Sequence, residues 1–303
     1  MKIIFGMNTC FAVKRWVEAS EWLRIISEEL GLSDCQFSLD ILDPFTEEIA
    51  KSRIINDIIN NAEKYNITIH SAFTGLAAYS YNLLLHPDFG MRMNFLYWYQ
   101  QAIEIASSLG CRGVGGHVGA FTMNDYHNDE RREYLTKTMV DSLSFLSSMA
   151  KMEDLDYFLV EPMPLSREPP YTIEGAKEFY NLINDQIEIG VPIKYCIDLG
   201  HSCAVACKSK YSRDPYNWLK EIAPLSPEIH LQQTDGKADC HWPFTKEYNE
   251  RGIIEPTKVL SAIDDSDAQE ISLFLEIIHP FEADEKMVLK DLIESVEYWK
   301  QYL

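Results

Sequence analysis

Long apolar runs are absent from this sequence, and no segment approaches the roughly 20 consecutive apolar residues that a membrane-spanning helix requires. The opening segment 1–6 becomes polar too soon for a secretory signal peptide. We therefore expect a soluble protein that stays in the cytoplasm. Hydrophobic residues still make up 46% of the 303 positions, which is enough to bury a sizeable core.

Cysteine pairs of the metal-binding or redox kind are also missing, because no two cysteines have the C-x-x-C spacing. The cysteines are scattered along the chain and odd in number: Cys10, Cys35, Cys111, Cys196, Cys203, Cys207 and Cys240. This pattern predicts free, mostly buried thiols in a reducing compartment.

Positive charge is scarce. The chain has 27 lysines and arginines against 47 acidic residues, which gives a formal net charge of −20. Such a surface repels phosphate backbones, so we expect no nucleic-acid partner and no membrane partner. A locally basic pocket for a small anion stays open.

Short apolar runs recur eight times, and most of them are continuous rather than alternating. Continuous runs are typical of strands buried on both faces of a parallel sheet. The predicted strands are 3–8, 35–39, 67–73, 113–119, 157–163, 193–200, 228–234 and 272–278.

Segments with helical spacing separate the strands. They are 18–30, 47–65, 91–109, 130–152, 173–186, 256–263 and 284–302, with a shorter segment at 214–222. Gly31 and Gly110 directly follow two of them, as helix-ending glycines do. Eightfold strand–helix alternation predicts a (β/α)₈ TIM barrel of α/β class, with 1–303 as one domain. The alternative is an open doubly wound sheet, but segment 113–116 lacks the G-x-G-x-x-G spacing of its phosphate loop.

Titratable residues cluster where the predicted strands end. They are His70, His117, Glu161, Asp198, His201, His230 and Glu276, with His241 in the loop after strand seven. In a TIM barrel these ends converge on the face that carries the active site. A single histidine of this kind is usually a hydrogen-bonded core residue. Three carboxylates in a barrel are costly unless they are paired, so the set together predicts a site for Zn²⁺, Mn²⁺, Co²⁺ or Fe²⁺.

The order of these residues resembles the xylose-isomerase-like superfamily over nearly the whole chain. The resemblance rests on Glu161, the segment 198–201 (DLGH), the segment 230–236 (HLQQTDG) and Glu276. In the ketose 3-epimerases of this group, the matching positions hold one divalent metal. The resemblance therefore implies Glu161, Asp198, His230 and Glu276 as metal ligands.

A second part of the resemblance concerns endonuclease IV, in which further residues complete a larger metal site. The matching positions, candidates for additional metal or substrate contacts, are His70, His117, His201, Asp239 and His241. Segments 8–16 and 38–44 look most like the tetrulose-phosphate epimerases, and family members are often homo-oligomers.

These features predict a metal-dependent epimerase or isomerase of a small keto sugar or keto-sugar phosphate, with erythrulose phosphate as one candidate. A bound Mn²⁺ or Zn²⁺, or Co²⁺, would act as a Lewis acid on the carbonyl while protons move at C3. Glu161 and Glu276 are the expected acid and base, with His201 assisting. Two basic pairs are candidates for phosphate binding, with an ordinary solvated role as the alternative: Lys14 and Arg15, and Lys237 and Arg251.

Several alternatives stay open. Aldose–ketose isomerisation and polyol dehydration both begin with proton removal next to a carbonyl, so the scaffold does not separate them from epimerisation. A phosphodiesterase of the endonuclease IV kind is supported by the larger ligand set and opposed by the acidic surface. A binding barrel without catalysis would be expected to lose the ligands. The early-loop aromatics Phe11, Trp16, Phe73, Tyr79 and Tyr81 either line the pocket or serve packing alone.

Overall fold

Eight parallel strands close into one barrel in the computed structural model, which describes residues 2–202 and 208–303. Each strand pairs with the next along the chain, and the last pairs with the first. The strands are β1 (Lys2–Asn8), β2 (Asp34–Ser38), β3 (Thr68–Phe73), β4 (Gly113–Gly116), β5 (Tyr157–Val160), β6 (Ile193–Asp198), β7 (Glu228–Leu231) and β8 (Glu270–Leu275). The predicted TIM barrel is therefore confirmed.

Helices cover the outside of the barrel. In the described part of the chain they are α1 (Ala19–Arg24, continued by a π-helical turn), α2 (Glu48–Tyr65), α3 (Phe89–Ser108), α4 (Met123–Tyr126), α5 (Asp129–Met152), α6 (Ile173–Asn184), α7 (Leu199–Ser202), α8 (Pro215–Ile222), α9 (Lys246–Arg251), α10 (Pro256–Asp264) and α11 (Glu285–Lys300). The sequence pattern missed α4, α7 and α9, because six residues or fewer carry too little periodicity to read.

The helix ends follow local chemistry. Side chains of Asp88 and Thr172 accept hydrogen bonds from backbone amides in the first turns of α3 and α6. Gly31 and Gly110 both have positive φ, of 59° and 70°, and so end helices as predicted. None of the described helices is long and apolar enough to cross a bilayer.

The core has two layers because successive strand residues point to opposite faces. On β5, Phe158 and Val160 pack outward into the large cluster beneath the helices. Tyr157 and Leu159 instead join Phe73 in a small cluster inside the barrel. The inward-facing series on β5 therefore runs through positions 157 and 159, and its next member is Glu161, directly after the strand at the carboxyl end of the barrel.

The described cysteines are free, as predicted: Cys10, Cys35, Cys111, Cys196 and Cys240. Three of them, Cys35, Cys111 and Cys196, are buried. Cys203 and Cys207 lie outside the described residues.

Candidate metal centre and cavity

Four side chains from consecutive strands meet at the carboxyl end of the barrel. Asp198 ends β6 and His230 lies in β7, while Glu161 and Glu276 directly follow β5 and β8. One ligand atom from each side chain lies within 4.8 Å of the others, and all four residues are buried. The structure thus brings together the four residues that the resemblance implies as metal ligands. We call them the four-residue cluster.

The imidazole of His230 is at the centre of this cluster. Its Nδ1 lies 3.0 Å from Glu276 Oε2, 3.4 Å from Glu161 Oε1 and 3.9 Å from Asp198 Oδ2. Three of these buried atoms, Glu161 Oε1, Asp198 Oδ2 and His230 Nδ1, have no hydrogen-bond partner. Within 2–202 and 208–303, no lysine or arginine forms an ion pair with the three carboxylates.

Such an arrangement is costly for a protein without a bound cation, because buried charges need partners. Three carboxylate oxygens and one imidazole nitrogen form a donor set that suits Mn²⁺, Zn²⁺, Co²⁺ or Fe²⁺. A divalent cation in the middle of the four-residue cluster would satisfy all the orphaned atoms at once. The residues therefore fit a metal.

Each glutamate of the cluster accepts a hydrogen bond on one of its two carboxylate oxygens. The Tyr79 hydroxyl donates to Glu161 Oε2, and Asn8 Nδ2 donates to Glu276 Oε1 at 3.2 Å. As a result, the other oxygen of each glutamate, Glu161 Oε1 and Glu276 Oε2, faces His230. The ring of Tyr79 also stacks on His117, with centroids 5.1 Å apart.

A second group of titratable side chains adjoins Asp198. Asp239 Oδ2 lies 3.3 Å from His201 Nε2 and 3.1 Å from His241 Nε2. Asp198, His201 and His241 each offer an atom within 4.8 Å of the others. The structure therefore brings three of the candidates for catalysis or additional metal contacts, His201, Asp239 and His241, together beside Asp198.

Gln232 ties the two groups together. Its amide nitrogen donates to Asp198 Oδ1 at 2.9 Å and to Asp239 Oδ1 at 2.6 Å. Its carbonyl accepts hydrogen bonds from the backbone amides of Cys240 and His241. Gln232 follows His230 by two positions and so shares its inward face.

Burial and neighbouring charges shift the titration of both groups. Burial raises the pKa of Asp198 to about 7, even though His201 and His241 favour its charged form. Burial alone would raise the pKa of Glu276, but its histidine neighbours, His230 first, outweigh burial and lower the pKa to about 2. Burial opposes charge on His241, yet Asp239 raises its pKa to about 9. The pKa of His230 is likewise raised against burial, by Cys196 and Glu276.

A small cavity opens beside these groups. It has a volume of about 220 Å³ and is lined by Cys10, Ser38, Gly75, Leu76, Tyr79, Met163, His201, Asp239, His241, Glu276 and Ile278. Pockets for drug-sized ligands hold roughly 300–1,000 Å³, so this cavity favours a smaller molecule. A larger groove of about 950 Å³ beside α5 and α6 is lined by none of the cluster residues.

Comparison with known proteins places this architecture in a family. The family model described as xylose isomerase-like TIM barrel matches residues 27–301. The chain belongs to this family. A D-erythrulose 1-phosphate 3-epimerase from Brucella abortus is 26% identical over 304 residues, which cover 100% of this chain and 97% of that protein.

Solved structures agree with the fold. A crystal structure from Rhodospirillum rubrum that carries the name of xylose isomerase has a TM-score of 0.91 and 30% identity, covering 99% of both chains. D-Psicose 3-epimerase from Clostridium cellulolyticum has a TM-score of 0.74 and 16% identity over 100% of this chain and 99% of that chain, which shows a shared fold. The prediction of an isomerase- or epimerase-type enzyme is confirmed by the family and the names of its members.

His70 is the one candidate histidine whose placement at a strand end was wrong. It is the third residue of β3, and its Nε2 lies 2.7 Å from Oδ1 of Asp34, the first residue of β2. Because each strand residue advances the chain by about 3.3 Å, His70 lies near the amino end of the barrel. The structure does not bring it to either group of candidate ligands.

His117 lies at the correct end, directly after β4, but belongs to neither group of candidate ligands. Burial, assisted by His201, lowers its pKa to about 3, so the imidazole is neutral at physiological pH. Its buried Nδ1 has no hydrogen-bond partner. His117 therefore borders the centre through its stacking contact with Tyr79.

The four basic candidates do not line the cavity. Lys14 Nζ lies 4.8 Å from the ring centroid of Phe281, and Arg15 donates to the carbonyl of Pro280, so both pack against the loop after β8. Lys237 is exposed and lies 3.7 Å from Asp235. The guanidinium of Arg251 lies over two neighbouring aromatic rings, 4.4 Å from the centroid of Trp242 and 4.6 Å from that of Tyr248.

Sequence reasoning missed the residues that hold the ligands in place. The sequence around Tyr79 does not distinguish a hydrogen-bond donor from an aromatic residue that only packs. Asn8 was predicted only as the last residue of the first strand. Gln232 could have been found, because a polar residue two positions after an inward-facing histidine must also face inward. Their partners lie 34 to 268 positions away in the chain.

Proposed function

We propose that this chain is a divalent-metal-dependent epimerase of a small keto sugar or keto-sugar phosphate, acting at C3. The observation that carries the proposal is the four-residue cluster, in which two glutamates from different strands face one buried imidazole. The similarity to the Brucella abortus enzyme supports erythrulose 1-phosphate as the first substrate to test. Mn²⁺ or Zn²⁺, with Co²⁺ as an alternative, is the proposed metal.

The metal, held by Glu161, Asp198, His230 and Glu276, would supply Lewis-acid chemistry at the carbonyl next to the reacting carbon. Glu161 and Glu276 follow strands that are three places apart around the eight-stranded barrel, so their carboxylates approach His230 from different sides. One glutamate removes the C3 proton, and the other returns a proton to the opposite face of the carbon. Tyr79 and Asn8 orient these carboxylates by holding the oxygen that does not face His230.

His201 is the proposed electrostatic partner of a substrate oxygen. It lines the cavity, and its Nδ1 lies 3.1 Å from the carbonyl of Pro162 while its Nε2 faces Asp239. Burial opposes protonation, but Asp198, Asp239 and Glu161 together raise its pKa. A protonated imidazole at the cavity wall stabilises negative charge that develops on the substrate. Asp239 and His241 would hold it in place or take part in a second metal site.

Lys14 and Arg15 are the proposed contacts for a substrate phosphate. They follow Cys10 by a few residues and pack on the loop that follows Ile278, and both Cys10 and Ile278 line the cavity. A phosphate at the cavity mouth would be within reach of this loop pair, and charge-assisted hydrogen bonds would hold it.

The experiment that tests the proposal is NMR spectroscopy in D₂O with erythrulose 1-phosphate and a panel of free and phosphorylated ketoses. Metal-free protein is reconstituted with Mn²⁺, Zn²⁺ or Co²⁺ in parallel, and spectra are recorded before equilibrium. We expect deuterium at C3 together with the C3 epimer. Deuterium at C1 or C2 with formation of an aldose would identify an aldose–ketose isomerase instead.

Substitution of either glutamate tests its role in proton transfer. Glu161→Gln and Glu276→Gln should both abolish turnover, because an amide neither accepts nor returns the proton. Asp125→Asn is the matched control, since Asp125 is a buried carboxylate paired with Arg131 and lies outside the cavity. Near-normal activity in either glutamine variant would contradict the mechanism.

A further inference from the structure

A chain of buried hydrogen bonds runs through the barrel interior behind the four-residue cluster. It begins at Glu228, the first residue of β7, passes through Gln36 of β2 and ends on His230. Glu228 and His230 are two positions apart on β7 and so share its inward face. We call these three residues the Gln36 bridge.

The amide of Gln36 is fixed in one orientation. Its Nε2 donates to Glu228 Oε2 at 2.6 Å. Its Oε1 lies 2.6 Å from Asn8 Nδ2 and 2.6 Å from His230 Nε2. A flipped amide would point its NH₂ group at the NH₂ group of Asn8 and withdraw the donor from Glu228, so the carbonyl oxygen faces His230.

Glu228 is fully buried and is not part of either group of candidate metal ligands. Three donors surround it: Gln36 Nε2 at 2.6 Å, Ser71 Oγ at 2.6 Å and the Tyr157 hydroxyl at 2.8 Å. A carboxylate that accepts from three donors is satisfied in its ionised form. None of the described lysines, arginines or histidines forms an ion pair with Glu228, so a negative charge lies behind the Gln36 amide.

This geometry decides which nitrogen of His230 carries a proton. Because a carbonyl oxygen faces Nε2, that nitrogen is the donor, and the lone pair remains on Nδ1. Nδ1 is the atom that faces Glu161, Asp198 and Glu276. A histidine that donates its other N–H to a polarised acceptor is a better metal ligand, because the hydrogen bond fixes the ring and raises its basicity.

We propose that Gln36 and Glu228 are positioning residues for the metal centre. Gln36 presents the acceptor that holds His230 in the metal-binding tautomer, and the carboxylate of Glu228 polarises and orients that acceptor. Asn8 extends the arrangement, since its Nδ2 contacts both Gln36 Oε1 and Glu276 Oε1. The proposal rests on the metal site of the proposed function and adds the part of the barrel that tunes it.

Two variants test the Gln36 bridge by its charge. Glu228→Gln keeps the shape of the side chain and removes the negative charge behind Gln36. Loss of such a partner typically weakens metal affinity about 10- to 100-fold, and we expect the Kd for Mn²⁺ and Co²⁺ to rise by that factor. The double variant Gln36→Glu with Glu228→Gln keeps the net charge and moves the carboxylate next to His230. We expect it to recover the affinity of the unsubstituted protein.

Asp34→Asn is the matched control. Asp34 lies on β2, the strand that carries Gln36, and its carboxylate contacts a histidine, His70, that lies outside the four-residue cluster. Its metal Kd should remain within about twofold of the unsubstituted protein, well below the loss expected for the bridge. If Glu228→Gln does not fold, Gln36→Met takes its place, because it removes the acceptor that faces His230 Nε2 and should lose the same affinity.

Metal binding is measured by isothermal titration calorimetry on chelator-treated full-length protein, with Mn²⁺ and Co²⁺ in separate titrations. Unchanged affinity in Glu228→Gln, or equal losses in the single and double variants, would overturn the proposal and leave the epimerase function untouched. Metal binding with the expected pattern, but without exchange in any ketose, would overturn the proposed function and support the Gln36 bridge. Failure of the unsubstituted protein to bind either metal would overturn both.

Discussion

Removal of the proposed divalent metal should destabilise this protein, and the effect should grow as pH rises. The four-residue cluster places three buried carboxylates around one imidazole, so metal-free protein has at most one positive charge among three negative ones. A cation that binds only the folded state adds its binding free energy to the free energy of unfolding. Chelation is therefore a direct test of whether the cluster holds a metal.

The size of the effect follows from mass action and chain length. At a free metal concentration of about 100 Kd, binding contributes about 2.7 kcal/mol. With an unfolding entropy of about 2.1 cal/mol/K per residue, a chain of 303 residues has roughly 0.6 kcal/mol/K in total. The metal should therefore raise the Tm by about 4 °C, and each further tenfold excess should add about 2 °C.

The pH dependence has a definite sign. Burial raises the pKa of Asp198 to about 7, and the pKa of His230 is raised against burial by Cys196 and Glu276. Both folded pKa values exceed the unfolded values, so the stability that they contribute is complete at low pH and is lost as pH rises through them. For Asp198 this window runs from about 4 to 7, and for His230 it begins near 6.5. Glu276, with a pKa of about 2, acts in the opposite direction and only in acid.

Calorimetry of chelated and Mn²⁺-loaded protein at pH 5.5, 7.0 and 8.5 measures both effects. The Tm of the chelated protein should fall with pH, and the shift produced by metal should increase, because metal displaces the protons that otherwise stabilise the cluster. Asp198→Asn should lose most of the shift, whereas Asp125→Asn should keep it. A shift that is absent, or that shrinks as pH rises, would refute the assignment of this cluster as a metal site.

Three further perturbations probe the surroundings of the cluster. Tyr79→Phe keeps the ring and removes the hydrogen bond to the Glu161 carboxylate, which is worth about 1.5–3 kcal/mol. The kcat should fall roughly 10- to 100-fold with little change in KM. An unchanged kcat would show that Tyr79 only packs. Gly200→Ala places a Cβ 2.3 Å from Cδ of Gln232, so the Gln232 amide that donates to Asp198 must move. Calorimetry should show a loss of about 1–3 kcal/mol in the free energy of unfolding, together with weaker metal binding. A normal Tm would mean that Gln232 moves freely. Lys14→Met should raise the KM for phosphorylated ketoses about tenfold, which corresponds to a loss of roughly 1.4 kcal/mol of binding free energy, and should leave the KM for free ketoses unchanged. An equal change in both KM values would show that Lys14 does not bind the phosphate.

The sequence by itself determined the barrel and placed its titratable residues at the strand ends, and the resemblance that it carries implied the members of the four-residue cluster. Continuous apolar runs alternating with helical segments admit few folds, and a parallel barrel brings the carboxyl ends of its strands together. Glu161, Asp198, His230 and Glu276 all lie at such ends, so their convergence follows from the strand pattern once the barrel is closed. Each candidate ligand lies in its strand or directly after it, so its position can be predicted from the local sequence pattern.

Only the tertiary structure decided how deep each side chain lies and which partner it meets. His70 is a few residues short of its strand end, and that offset pairs it with Asp34 instead of a metal. Gln36 meets Glu228 across 192 positions of chain, on a strand that is not its neighbour in the sheet. Such contacts depend on strand register and on the curvature that closes the barrel, because a shift of one residue turns every side chain to the other face. No periodicity along a single strand contains that information.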